Sequence, residues 1–259
     1  MGQNFLSSEA VVGRIVEAAR FMASEAQGIV EVGPGHGALT AGLAAAGKPL
    51  WAVELDDALA EGLRARFPAL RVTHADARTF DWCSLSRLTG LFPWLLVGNL
   101  PYNAGTEILW QALFRRDTLC GALVMLQKEV ARKFCSGPGG EGYGPLAVWT
   151  DPWWERRILF SVPPGAFRPQ PKVTSAVCAF RARPTPTLPT SDQWAYWEFL
   201  RRAFLQRRKT LAANLAGPDA GSKAAVAGTL DGLGVSPACR PAEVPPEIFQ
   251  RLFGTFFNN

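Results

Sequence analysis

The chain has 259 residues, 48% of them hydrophobic, and a formal net charge of +5; this suits one large domain plus a smaller one, with a mild leaning towards a polyanionic partner. No stretch reaches the roughly 18 uninterrupted apolar residues of a membrane span, and Met1 to Leu6 shows no basic region followed by an apolar one, so neither a membrane partner nor an export signal is expected. Five cysteines without a C-x-x-C pair, beside only His36 and His74, lack the ligand spacing of a structural zinc site and predict a metal-free cytoplasmic protein with reduced thiols.

In chain order, the first two-thirds alternates short β-like runs with helical ones. Ile29–Val32 reads as a strand and Leu39–Ala46 as the helix after it. Leu50–Glu54 reads as a second strand, and Leu59, Leu63 and Phe67, four residues apart, make one apolar helical face. Val72–Ala75, Trp94–Val97 and Ala122–Leu126 read as third, fourth and fifth strands, the last followed by a helix over Lys128–Phe134. Ile158–Val162 and Ser175–Phe180 suit two final strands. The alternation predicts an α/β fold with a mostly parallel sheet and helices on both faces.

Pro184–Pro189 can continue neither a helix nor a central strand, which predicts a linker over 184–190 between a domain at 1–183 and a helical one at 191–259. Within the latter, Trp194, Trp197, Leu200, Phe204 and Leu211 fall at helix-like spacing, as do Ile248, Leu252 and Phe256. Arg201, Arg202, Arg207, Arg208 and Lys209 crowd one stretch, read as a basic helix that could track an RNA backbone or be a solvated face. Arg156 and Arg157 stand beside Trp153 and Trp154.

Three successive strand ends carry the chemistry. Glu31-Val32-Gly33-Pro34-Gly35-His36-Gly37 follows the first strand, and its glycines permit a sharp turn and close approach of a ligand to the backbone; a turn that merely packs tightly would look the same. Glu54 ends the second strand about 20 residues on, where it can accept from ribose hydroxyls. Asp76 follows the third and can accept from an adenine amino group. That pattern suits either a dinucleotide or S-adenosyl-L-methionine. The fourth strand discriminates, because it runs into Asn99-Leu100-Pro101-Tyr102. An adenine amino nitrogen is a poor nucleophile with a delocalised lone pair. It needs acceptors for both N–H bonds, which the Asn99 side-chain oxygen and the Leu100 carbonyl can supply while Pro101 fixes the turn and Tyr102 stacks on the base.

At these residues the chain resembles the ribosomal RNA adenine dimethyltransferase family, in particular its bacterial small-subunit branch. The resemblance runs from Gly2 to about Leu215 and takes in Gly2–Leu6, Glu31–Gly35, Val53–Asp56, Asp76-Ala77, Asn99–Tyr102, Met125–Val130, Tyr143-Gly144, Phe167–Val173 and Gln206–Leu211. It implies a Rossmann-like class I methyltransferase sheet with a small C-terminal helical domain, and S-adenosyl-L-methionine as cofactor. It implies that Asn4, Leu6, Gly33, Glu54, Asp76 and Asn99 line the cofactor pocket, and that Tyr102 and Phe167 sandwich a flipped adenine. Lys172, Arg207, Arg208 and Lys209 would meet phosphates. The implied activity is N6,N6-dimethylation of two adjacent adenines in the 3′-terminal hairpin of 16S rRNA, by a monomer acting on a pre-30S particle. Two alternatives stand beside it: methylation of one adenine in 23S rRNA, and a non-catalytic rRNA-binding assembly factor.

Overall fold

The computed structural model describes residues 4–217 and 221–256. Gly2 and Gln3 of the Gly2–Leu6 motif lie outside the described residues. The first elements of the described residues are a two-residue strand, β1 (Phe5–Leu6), and a helix, α1 (Glu9–Met22). Ser8 caps α1 by accepting from the Val11 N–H, and Ile15, Val16 and Ala19 bury one face of it. There follow β2 (Gly28–Val32), α2 (Thr40–Ala44), β3 (Leu50–Glu54), α3 (Asp57–Arg66), β4 (Arg71–His74), α4 (Cys83–Thr89), β5 (Trp94–Asn99), α5 (Gly105–Leu113), β6 (Leu119–Gln127) and α6 (Lys128–Cys135). After α7 (Pro145–Thr150) come β7 (Trp154–Val162), β8 (Phe167–Arg168) and β9 (Ser175–Ala182), then α8 (Gln193–Ala203), α9 (Leu211–Leu215), α10 (Lys223–Gly232) and α11 (Pro246–Phe256).

Seven strands form one sheet in the order β4-β3-β2-β5-β6-β9-β7. β4, β3, β2, β5 and β6 are mutually parallel, and β9 joins β6 antiparallel. Parallel neighbours need helical crossovers, so the central strands are covered and read as continuous apolar runs. Ile15, Val16 and Ala19 of α1 pack with Ile29, Leu95, Val97 and Leu123 in one core cluster. β1 and β8 pair antiparallel outside the sheet, Phe5 opposite Arg168 and Leu6 opposite Phe167. Among the described residues no helix is long and apolar enough to cross a membrane.

The chain forms two compact units, 1–131 with 157–182, and 132–156 with 183–259. The second therefore takes in a segment upstream of the linker drawn from sequence at 184–190. The reason lies in its tryptophans. Trp149 and Trp153 are fully buried, and a buried indole N–H requires an acceptor. Trp149 donates to the Gln193 carbonyl and Trp153 to the Leu188 carbonyl. Thr187 N–H also donates to the Pro152 carbonyl, so the proline-rich stretch is tied down within this unit. Arg156, counted above with the basic residues, instead donates to Asp151 at 2.9 Å and to the Phe134 carbonyl at 2.7 Å.

The basic helix expected over 201–209 ends early. α8 stops at Ala203, and Arg207, Arg208 and Lys209 sit exposed in the turn before α9. Asn214 closes that turn, accepting from Gln206 N–H and donating to its carbonyl, so local side-chain bonding replaces another helical turn.

Candidate functional site

The carboxyl ends of parallel strands, where βα turns leave a crevice, are where an open α/β sheet accepts ligands. Here the ends of β2, β3, β4 and β5 line a cavity of about 440 Å³ within the first unit. Asn4, Leu6, Gly33, Glu54, Asp76, Asn99, Leu100, Pro101 and Tyr102 all line it. Nine of the ten residues assigned to cofactor or chemistry from sequence thus meet in one place.

The glycine turn is held from two sides. Gly35 has φ +57°, and a Cβ there would sit 3.0 Å from the Phe5 ring. A side chain would be strained and would push the N-terminal strand away. The Gly35 N–H donates to Glu54 Oε2 at 3.0 Å. Glu54 Oε1 accepts from the Leu55 and Asp56 N–H groups at 2.9 and 3.0 Å. The carboxylate is only 3% exposed, and three of its roughly four acceptor positions are used. The remaining one is on Oε2. Glu54 therefore braces the turn beside it while lining the cavity.

At the end of β5, Gly98 lets the chain pass close to β2, since a Cβ there would lie 2.5 Å from the Val32 carbonyl oxygen. Asn99 follows. Its Nδ2 donates to the Asn4 carbonyl at 3.2 Å, which turns Oδ1 into an available acceptor. Leu100 N–H donates to Met125, and the Pro101 carbonyl accepts from Ala104 and Gly105, closing the turn into α5. The Tyr102 hydroxyl lies 2.7 Å from Ser175 Oγ, which is fully buried at the start of β9. That bond fixes the ring in the cavity wall. Ser175 carried no signal in the sequence.

Phe167 departs from expectation. Its ring is fully buried in the core cluster with Leu6 and Val162, and it does not line the cavity. Pairing of β8 with β1 draws it under Leu6, so it supports the N-terminal strand and offers no open face to a base. Lys172 is exposed in the first unit and Arg207, Arg208 and Lys209 are exposed in the second, all outside the cavity.

Glu31 is a further residue of the site, marked in the sequence only as a charge inside the apolar run Ile29–Val32. It lines the cavity, is 1% exposed, and accepts from Thr40 Oγ1 at 2.7 Å. Burial raises its pKa, the Thr40 hydroxyl partly offsets that, and Glu54 repels it, leaving the group pushed up to about 7. Because the folded value lies above the ordinary 4.5, the stability contributed by the neutral form is complete below about 4.5 and is lost as pH rises through about 7. The difference corresponds to about 3 kcal/mol. Without ligand, the wild-type Tm is expected to fall from roughly pH 5 to pH 8 relative to Glu31→Gln. Thermal unfolding of both proteins over that range checks this, and parallel curves would refute it.

The lining also selects the ligand. Among the described residues that line the cavity are three acidic side chains, Glu31, Glu54 and Asp76, and one Lys or Arg, Arg78, which is paired with Asp76 at 2.5 Å. A pyrophosphate would be set against the buried acidic side chains Glu31 and Glu54. A ligand with a cationic centre, hydroxyl donors and an amino-bearing base is complementary. S-Adenosyl-L-methionine has all three, and the lining fits it: Glu54 would accept from the hydroxyls and Asp76 from the base amine. The apolar side chains of Leu55, Ala77 and Ile108 complete the wall.

A family model described as ribosomal RNA adenine dimethylase matches residues 1–232. A protein of Syntrophotalea carbinolica named ribosomal RNA small subunit methyltransferase A is 38% identical over 97% of this chain and 93% of its own length. One of the same name from Nitratidesulfovibrio vulgaris is 39% identical, with the same coverage. Among solved structures, the 23S rRNA methyltransferase ErmE is 29% identical, with a TM-score of 0.75, over 98% of this chain and 99% of that one. A dimethyladenosine transferase from Plasmodium falciparum shares the fold, with a TM-score of 0.76 at 19% identity over 98% and 97% of the two chains.

Proposed function

The chain belongs to the ribosomal RNA adenine dimethylase family, and on that footing we propose that it dimethylates N6 of two adjacent adenines in the 3′-terminal hairpin of 16S rRNA. It is an S-adenosyl-L-methionine-dependent rRNA adenine dimethyltransferase. We place its action on a precursor of the small subunit, in the cytoplasm, as a monomer. The small-subunit relatives at 38 and 39% identity favour 16S rRNA over the 23S substrate of ErmE at 29%.

One observation carries the chemical reading: Asn99 Oδ1 is turned free by the Asn4 carbonyl inside the cavity that Glu54 and Asp76 line. When bound, S-adenosyl-L-methionine supplies an electrophilic methyl group on a sulfonium centre. Asn99 Oδ1 and the Leu100 carbonyl each accept one N–H of the target amine. They hold its nitrogen as it becomes tetrahedral and gains positive charge. Held by Ser175, Tyr102 offers one face for stacking, which offsets part of the few kcal/mol of unstacking the base. The extra proton leaves after transfer, when the methylated nitrogen is far more acidic. No strong base is required. Asn4, Leu6 and Gly33 close the cofactor end, and Lys172, Arg207, Arg208 and Lys209 take RNA phosphates.

The test is a mass-spectrometric map of dimethylated adenines in rRNA from cells with and without the gene. Loss of two adjacent dimethyladenines near the 3′ end of 16S rRNA is expected. Loss confined to 23S rRNA would move the assignment to the ErmE-like reaction, and an unchanged map would overturn it.

A further inference from the structure

Asp76 is engaged by Arg78. Its Oδ1 accepts from the Arg78 N–H at 2.9 Å and from Arg78 Nε at 3.1 Å. Its Oδ2 accepts from Nε at 3.0 Å and from the terminal guanidinium nitrogen at 2.5 Å. Three Arg78 N–H groups, with Nε shared between the two oxygens, thus take most of the roughly four acceptor positions of this carboxylate. The Asp76 carboxyl sits below its usual range mainly because of those bonds. Yet Asp76 is the strand-end acid available to the base amine of the cofactor. Both groups cannot hold the same oxygens.

We propose that Arg78 is an exchangeable partner of Asp76: the cofactor's base end displaces its guanidinium, which then contacts a phosphate of the RNA at the cavity mouth. This rests on the function proposed above. The pair sits where such an exchange is possible. The Arg78 side chain is 45% exposed and that of Asp76 25%, so the guanidinium can leave without crossing packed side chains. Arg78 lines the same cavity as Tyr102 and Asn103. Glu107, in the first turn of α5, also attracts the Arg78 guanidinium. The backbone N–H of Arg78 stays on Asp76 Oδ1 throughout, so the acid keeps its orientation while the side chain turns away.

The consequence is coupling between the two substrates. Displacement costs the cofactor part of its binding free energy, and the freed cation adds one phosphate contact for RNA. Coupling between two binding equilibria is reciprocal, so RNA must in turn tighten cofactor binding.

The experiment uses the full chain, with S-adenosylhomocysteine as the cofactor probe and undermethylated precursor 30S particles as the RNA probe. By calorimetry without RNA, Arg78→Ala should bind S-adenosylhomocysteine about threefold more tightly than wild type, since an exposed pair is broken more easily than a buried one. With the probe present, the slope of log affinity for the particles against log salt should be about one contact steeper for wild type than for Arg78→Ala; without it the slopes should agree. Arg78→Lys, which lacks the bidentate fork but keeps the charge, should bind the probe as Arg78→Ala does and keep the steeper slope. Unaltered or weaker probe binding by a folded Arg78→Ala would overturn the exchange. Equal slopes in the presence of probe would overturn the phosphate contact. Failure of wild type to bind the probe at all would instead overturn the function on which the inference rests.

Discussion

Asn99→Ala should lower the single-turnover rate of methyl transfer by about 10²- to 10³-fold, with a much smaller change in cofactor affinity, the loss typical of removing one preorganised polar group at developing charge. The substitution deletes the Oδ1 acceptor. It also breaks the 3.2 Å bond through which the Asn4 carbonyl orients that acceptor. Asn99→Asp separates the two effects. A carboxylate still accepts an amine N–H but cannot donate to the Asn4 carbonyl, and the two oxygens repel at that spacing. Its rate should fall between those of Asn99→Ala and wild type. The measurement is single-turnover transfer of labelled methyl at saturating cofactor and RNA. If Asn99→Ala changes only the apparent RNA affinity and leaves the rate alone, the amine-acceptor role is wrong.

Glu54→Ala should damage both binding and fold. Three backbone N–H groups, from Gly35, Leu55 and Asp56, lose the carboxylate they donate to. Even with water entering from the cavity, such orphaned donors cost about 2–4 kcal/mol together. For a protein of this size that lowers Tm by roughly 5 °C or more. The glycine turn loses its brace, and the cofactor loses a charge-assisted partner for its hydroxyls. Affinity for S-adenosylhomocysteine should drop on the order of 100-fold. Glu54→Gln distinguishes the two roles. Its amide oxygen can still accept from Leu55 and Asp56 while its NH₂ faces the Gly35 N–H. The Tm loss should be smaller than for Ala, yet the affinity loss should persist. Calorimetric titration and thermal unfolding of both variants check this. Full affinity in Glu54→Gln would show that the carboxylate braces the turn without binding the ligand.

The carboxylates show how one cavity assigns different states to the same chemistry. Glu54 accepts from three backbone N–H groups. Glu31, with one hydroxyl donor and full burial, holds its proton towards neutrality. Asp76, at the more open end, is kept charged by Arg78. Burial and donor count, rather than residue type, set each of these.

The seven strands of the sheet, their mostly parallel arrangement and the coincidence of glycine turn, Glu54, Asp76 and Asn99 were legible from the sequence, whereas β1 and β8 were not. Each strand is a short apolar run, each chemical residue stands at a strand's end, and right-handed βα crossovers bring successive strand ends to one edge. Such signals are local, so they survive without knowledge of the rest of the chain. The tertiary structure alone decided which groups are already engaged. Asn4 orients Asn99 across 95 residues, and Ser175 holds Tyr102 across 73. Phe167 is drawn into the core by a strand pair that joins opposite ends of the first unit. Trp149 and Trp153 pull 132–156 into the second unit through acceptors at Gln193 and Leu188. Hydrogen-bond partners and burial depend on what folding brings within a few ångströms, and no spacing rule along the chain carries that information.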